Sequence, residues 1–280
     1  MKSELIKMFK YPSMIKSAAF CAASFAFLSV VFKSSFVLVP EATEVRICNI
    51  LTCCYGIWFG PAGALGCAVG NLIGDLGGSL TLMSPGGFFG NFLSAFVPYK
   101  IWETLGSFLE DKSLELPSLS SKKAMLRYLL SSLCSVISCS AVLAFTFELY
   151  RAMPAVNTFA IIFINNLAAA LLGIALFAAA SRLPNSRRFY WRNQMKEEST
   201  FVFPKSDLRK VAVFSVVSLM LTVYVSVYML CSGVSITQMD AYGKPAPTII
   251  FIVYTLIQFC LILSCRWTED SSDVRGSILL

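Results

Sequence analysis

Apolar runs recur along the chain at about 14–33, 124–147, 157–180, 208–232 and 247–265, each flanked by charged or turn-forming residues. Each approaches the ~20 residues a helix needs to cross the hydrocarbon core of a bilayer. The stretch from Arg46 to Glu110 is also apolar, but it is rich in glycine and interrupted by Pro61, Pro85 and Pro98. Hydropathy alone admits two or three crossings there. The polar positions decide, because cytoplasmic loops of membrane proteins collect Lys and Arg. Three crossings, broken near Gly60-Pro61 and near Ser84-Pro85-Gly86-Gly87, put 19 of the 23 basic residues on one face and leave Lys33, Arg46, Arg151 and Lys244 on the other. Two crossings would move thirteen of them, from Lys100 to Lys210, to the outer face. The pattern therefore predicts an all-α integral membrane protein of eight spans with both termini inside.

Composition agrees. Hydrophobic residues make up 56% of the 280 and charged residues 14%, against ~25% charged in a soluble domain. The net charge of +7 falls between apolar runs, which marks membrane orientation and not a nucleic-acid surface. Lys2, Lys7 and Lys10 before the first run resemble a signal peptide, but no small-x-small cleavage site follows, so an uncleaved first span is expected. The longest polar stretch, Arg182 to Lys210, divides a six-helix membrane domain (1–183) from a two-helix extension (208–268). Residues 184–207 read as a basic cytoplasmic linker and 269–280 as a cytoplasmic tail.

The absence of histidine removes Ser-His-Asp and Cys-His catalysis, HExxH sites and imidazole-ligated haem. No acidic metal-binding cluster and no Walker A motif occurs, so neither enzymatic activity nor a cofactor is expected. Cys21, Cys53, Cys54, Cys67, Cys134, Cys139, Cys231 and Cys260 sit inside apolar stretches and read as buried small hydrophobes.

The segment 46–103 carries the candidate chemistry. Ala62, Gly66, Gly70, Gly74 and Gly78 repeat every four residues, a ridge without side chains against which another helix can close. Beside it runs a polar stripe, Cys67, Asn71, Asp75 and Ser79. A carboxylate in mid-membrane costs about 2.5–3.5 kcal/mol on insertion scales, so Asp75 needs a cavity, a partner or a proton. In the eight-span topology Arg46 and Asn49 lie at the outer end of the second helix, Asn71 and Asp75 in the middle to outer part of the third, Asn91 in the outer half of the fourth, and Asn165 and Asn166 in the outer-to-middle part of the sixth. With Phe88, Phe89, Tyr55 and Trp58 as apolar walls, they describe a solute pocket that opens outward.

FGPAGALGCAVGNLIGDL, Phe59 to Leu76, followed by a glycine turn and NFLSAFVPYKIW, Asn91 to Trp102, resembles the substrate-binding S components of energy-coupling factor transporters. The similarity covers about residues 14–183. It implies capture of a small water-soluble micronutrient, a vitamin or precursor, at a bacterial cell membrane, with energy from two ATPase subunits acting through a transmembrane coupling subunit. In that family small residues of the first helix meet the coupling subunit, which implicates Ala18, Ala22 and Ala26. The pair at 208–265 departs from the six-helix pattern and keeps open an alternative, a ligand-sensing or scaffold protein that does not transport.

Overall fold

A computed structural model describes residues 4–32, 37–39, 43–44, 46–77, 80–109, 116–195, 201–202, 205–232, 245–265 and 268–269. Gly78, Ser79, Lys33, Lys244 and nearly all of the tail, on which parts of the sequence reading fall, lie outside them. Among the described residues there are eight long helices: α1 Pro12–Val31, α2 Ile50–Phe59, α3 Pro61–Leu76, α4 Ser84–Leu109, α5 Lys122–Leu149, α6 Ala155–Arg182, α7 Lys205–Ser232 and α8 Pro245–Ser264. Short pieces join them, including the single turns Glu4–Lys7 and Trp191–Gln194 and the strand pairs Val37–Val39 with Thr43–Glu44 and Phe201–Val202 with Thr268–Glu269.

Local chemistry sets the boundaries. Pro12 and Pro61 stand in the first turns of α1 and α3, where a missing N–H costs nothing. The Ser121 hydroxyl caps α5 by accepting from the Ala124 amide at 3.0 Å. Between α2 and α3 the chain reverses at Gly60, whose φ of 56° is open to glycine and strained for other residues. The expected second break, Ser84 to Gly87, is instead the first turn of α4, and the interruption lies just before it. Proline is tolerated in a first turn, and the two glycines serve packing: a β-carbon at Gly86 would strike the Thr146 side chain, and one at Gly87 would lie 2.8 Å from Asn71 Nδ2.

The glycine ridge of α3 closes on α1. A β-carbon at Gly66 would meet Cys21 and the Ala18 carbonyl, one at Gly70 would sit 2.7 Å from the Ala22 carbonyl, and one at Gly74 2.6 Å from Ser29 Oγ. Both sequences ascend together, so α1 and α3 run parallel. This corrects the expected role of Ala18, Ala22 and Ala26. Ala22 and Ala26 are buried, and the face they form with Ala18 is covered by α3 of the same chain, so it is not open to a separate subunit. Ala19 and Ala23 are the ones that face outward.

Helices α1, α5, α6 and α7 are long and apolar enough to cross a membrane. At 10 residues α2 spans only about 15 Å. Outward-facing side chains such as Phe20, Phe27, Leu172, Met220 and Leu230 are apolar, the reverse of a water-soluble surface. Cys231 and Cys260 lie on this outer face, not in the core.

Contacts tie the chain beyond α6 to the six-helix part. Helices α7 and α8 are not a detached pair: Phe214 and Phe251 are fully buried, the Phe251 ring packs on Phe159 of α6 at 5.6 Å, and Lys100 of α4 donates to the Cys265 carbonyl at 2.6 Å. The basic stretch after α6 is not a free linker either. Tyr190 and Trp191 are fully buried, and the indole lies where a side chain on Gly60 would be. Around the fully buried Glu103 carboxylate, Tyr190 Oη donates at 2.8 Å, Trp191 Nε1 at 3.2 Å and Arg192 Nε at 2.8 Å. Gln194 ties the same segment to α1 by accepting from Ser17 Oγ at 2.9 Å. Burial alone would lower the pKa of Arg192, but Glu103 outweighs it and the guanidinium is held above its ordinary value.

Candidate solute-binding site

At the other end of the bundle from Glu103, four elements bring polar side chains together. The turn Ile47–Asn49 before α2 supplies Arg46 and Asn49, α3 supplies Asn71 and Asp75, α4 supplies Asn91, and α6 supplies Asn166. Asn71 and Asp75 are one helical turn apart and so share a face. Asn71 Nδ2 donates to Asp75 Oδ2 at 3.3 Å, while Arg46 Nη1 donates to Asn71 Oδ1 at 2.9 Å. Arg46 Nη2 stands 3.9 Å from Asp75 Oδ1, an ion pair without a hydrogen bond. Asn49 Nδ2 donates to Asn166 Oδ1 at 2.6 Å, which closes the group between α2 and α6.

Across from Asp75 the backbone of Gly87 passes close, since a β-carbon there would be 3.8 Å from Asp75 Oδ2. Asn91, one turn along α4, donates from Nδ2 to the Gly87 carbonyl at 2.9 Å, and its buried Oδ1 has no partner among the described residues. Sequence reasoning missed Gly87, Ser94 and Cys139. The Cys139 thiol of α5 lies beside Ser94 and Asn166 and 3.3 Å from where a side chain on Gly90 would begin. The run Gly87, Gly90 and Ser94, a small residue every third or fourth position, was the available signal on α4.

Other expectations do not hold. Asn165 is buried with an unpartnered Oδ1, but it is not joined to the group that contains Asn166. Adjacent helical positions point about 100° apart. Tyr55 is not a pocket wall, because its hydroxyl bonds to Ser24 at 2.9 Å on the α1 side. Trp58 packs on Phe177 and Tyr190 at the Glu103 end. Phe89 is about half exposed and stacks edge-on with Phe259 of α8.

Two of the buried carboxylates, Glu103 and Asp75, are satisfied very differently. Glu103 accepts from three different side chains, which makes it a structural anchor. Among the described residues Asp75, only 5% exposed, accepts one long hydrogen bond and faces a cation beyond hydrogen-bond distance. A buried carboxylate so poorly satisfied is costly by itself and receptive to added N–H donors. Arg46 and Asp75 also balance in charge, so the site suits a solute without large net charge and with several hydrogen-bonding atoms.

The QueT transporter family matches residues 15–182, the region of α1 to α6 that holds this site. The chain belongs to the QueT transporter family. QueT proteins are S components of energy-coupling factor transporters, associated with queuosine-precursor transport. The chain is thus a multi-pass membrane, substrate-binding S component for micronutrient uptake that works with an energy-coupling module, and it is not an enzyme. Helices α7 and α8 lie beyond the family match. No curated protein and no solved structure matches the chain.

Proposed function

We propose that this QueT protein captures a queuosine precursor, a 7-deazaguanine base, from outside a bacterial plasma membrane. Arg46, Asn49, Asn71, Asp75, Asn91 and Asn166 hold it, with Asn165 at the margin. The observation that carries this reading is Asp75, buried and under-partnered among polar groups from four separate elements, within the region matched by the family. A flat base rich in N–H and C=O groups meets such a site with many directional contacts, and apolar surroundings strengthen each one. Eight spans with both termini inside put the site end outward and the Glu103 end in the cytoplasm. Two ATPase subunits acting through a coupling subunit supply the energy, and the coupling subunit docks on the outward Ala19 and Ala23 of α1, since the Ala22 face is occupied.

Calorimetric titration of the purified protein with 7-aminomethyl-7-deazaguanine tests this. Replacing Arg46, Asn71 or Asp75 by Ala weakens binding by the ~1.5–3 kcal/mol of a hydrogen bond to a charged group and leaves the protein monodisperse. If Asp75→Ala binds normally but melts much lower, Asp75 is helix glue and the site lies elsewhere.

A further inference from the structure

Helix α4 carries the candidate site on one half and the Glu103 anchor on the other, and Pro98 stands between them. Beyond Pro98 the helix is pinned by charged groups. Lys100 donates to Glu4 Oε1 and to the Cys265 carbonyl, both at 2.6 Å, and Arg127 Nη2 donates to the Trp102 carbonyl. Glu103 follows with its three donors, Tyr190, Trp191 and Arg192. Before Pro98 the helix is held differently. Gly87 passes Asn71 and Asp75, and α5 is met through small residues: a β-carbon at Gly86 would strike Thr146, and one at Gly90 would lie 3.3 Å from Cys139 Sγ.

A proline within a helix has no N–H, so the usual bond from residue 98 to the Ser94 carbonyl cannot form. In a bilayer no water replaces it. The donor comes instead from α5, where Ser135 Oγ reaches the Ser94 carbonyl at 2.6 Å in a buried hydrogen bond. Among the described residues this is the one hydrogen bond between nitrogen or oxygen atoms that joins the site half of α4 to another helix. The next carbonyl, Ala95, is covered by α2, since a β-carbon at Gly56 would strike it.

On the reading that the polar group around Asp75 is the solute site, we propose that Pro98 makes a joint in α4 and that Ser135 is the positioning residue that sets it. The Glu103 half is fixed to the bundle, so the site half turns about residues 94–98 and carries Gly87 toward or away from Asn71 and Asp75. Glycines along the α5 contact let it shift without interlocked side chains. Ser135 touches no solute. Its hydroxyl holds the carbonyl that the proline leaves without a helical donor, and so holds the site half in place.

Two measurements on the full-length protein in detergent test this. Hydrogen–deuterium exchange without ligand is followed separately over residues 84–97 and 99–109. Ser135→Ala speeds exchange over 84–97 about tenfold, the worth of one buried hydrogen bond, and leaves 99–109 unchanged. Pro98→Ala restores the helical N–H, slows exchange over 84–97, and makes Ser135→Ala silent when the two are combined. Equal acceleration of both halves, or a Ser135→Ala effect that persists beside Pro98→Ala, overturns the joint. If Ser135→Ala does not fold, Pro98→Ala decides alone, and unchanged exchange over 84–97 overturns the joint. The second measurement titrates 7-aminomethyl-7-deazaguanine. Ser135→Ala weakens its binding about 2- to 10-fold, Ser135→Thr keeps the hydroxyl and the affinity, and beside Pro98→Ala the Ser135→Ala change has no effect. Faster exchange with unchanged affinity overturns the positioning role. A folded wild type that does not bind this base rejects the ligand reading, and the exchange pattern still decides the joint.

Discussion

Where the solute-binding unit ends is decided by Glu103. The family match stops at 182, and a cut after Leu183 would look natural, but it removes Tyr190, Trp191 and Arg192. Glu103 is fully buried, and those three residues supply its donors at 2.8, 3.2 and 2.8 Å. Removing the partner of a buried charge costs about 3–5 kcal/mol, and losing a buried Trp side chain costs a similar ~3–5 kcal/mol through cavity formation. Either loss is a large part of the ~5–15 kcal/mol that holds a typical fold together. A chain of residues 1–195 keeps all three partners, although it loses the contacts of α7 and α8 as the shorter chain does. A chain of residues 1–183 melts lower by roughly 6–20 °C for the charge loss alone, or aggregates. Glu103→Gln in the shorter chain recovers part of the difference, because a neutral amide is cheaper to leave without its partners. The assay is a detergent melting curve with size-exclusion profiles of all three chains. Equal melting of 1–183 and 1–195 refutes the staple.

Gly70→Leu forces α1 from α3, because even a β-carbon there lies 2.7 Å from the Ala22 carbonyl, so it lowers melting by more than Gly77→Ala, whose site is exposed. Ala22→Trp disrupts the same seam and reduces folded yield, whereas Ala23→Trp leaves ligand affinity intact and abolishes uptake and co-purification with a coupling subunit; normal uptake by Ala23→Trp would remove that face from consideration. In a cysteine-free background, cysteines at Ser118 and Asn193 resist impermeant reagents in intact cells and one at Lys244 is labelled. Labelling at Ser118 from outside would reject the eight-span topology.

Periodicity carried much of this structure. Apolar runs place α1, α5, α6, α7 and α8 to within three residues, because a spanning helix must be apolar along its whole length. The four-residue glycine repeat likewise announces a close helix contact, but a ridge specifies its shape and not its partner. That is why Ala18, Ala22 and Ala26 could be read as an external docking face although they fill α3's own groove. The depth of Arg46, Asn71, Asp75 and Asn91 follows from topology. Their pairing does not, since Arg46 to Asn71 and Asn49 to Asn166 depend on how α2 sits against α3 and α6. The basic stretch after α6 was misread for a related reason: a loop rich in arginine follows the charge rule whether it is solvated or folded in, and Tyr190-Trp191 is the short apolar signal that it returns to the core.

The two ends of the bundle are therefore held by different chemistry. At the Glu103 end a saturated carboxylate, two buried aromatic side chains and the Gln194 tie join α1, α4 and the α2–α3 turn, so any relative motion there breaks several buried bonds at once. At the Asp75 end the links are hydrogen bonds from Arg46 to Asn71 at 2.9 Å, from Asn49 to Asn166 at 2.6 Å and from Asn71 to Asp75 at 3.3 Å, with a 3.9 Å ion pair, and the Arg46 side chain is 43% exposed. Local opening follows the least stabilised contacts, and at the site end these are the long ion pair and the 3.3 Å bond to Asp75. A solute that donates to Asp75 adds bonds where that buried carboxylate has fewest.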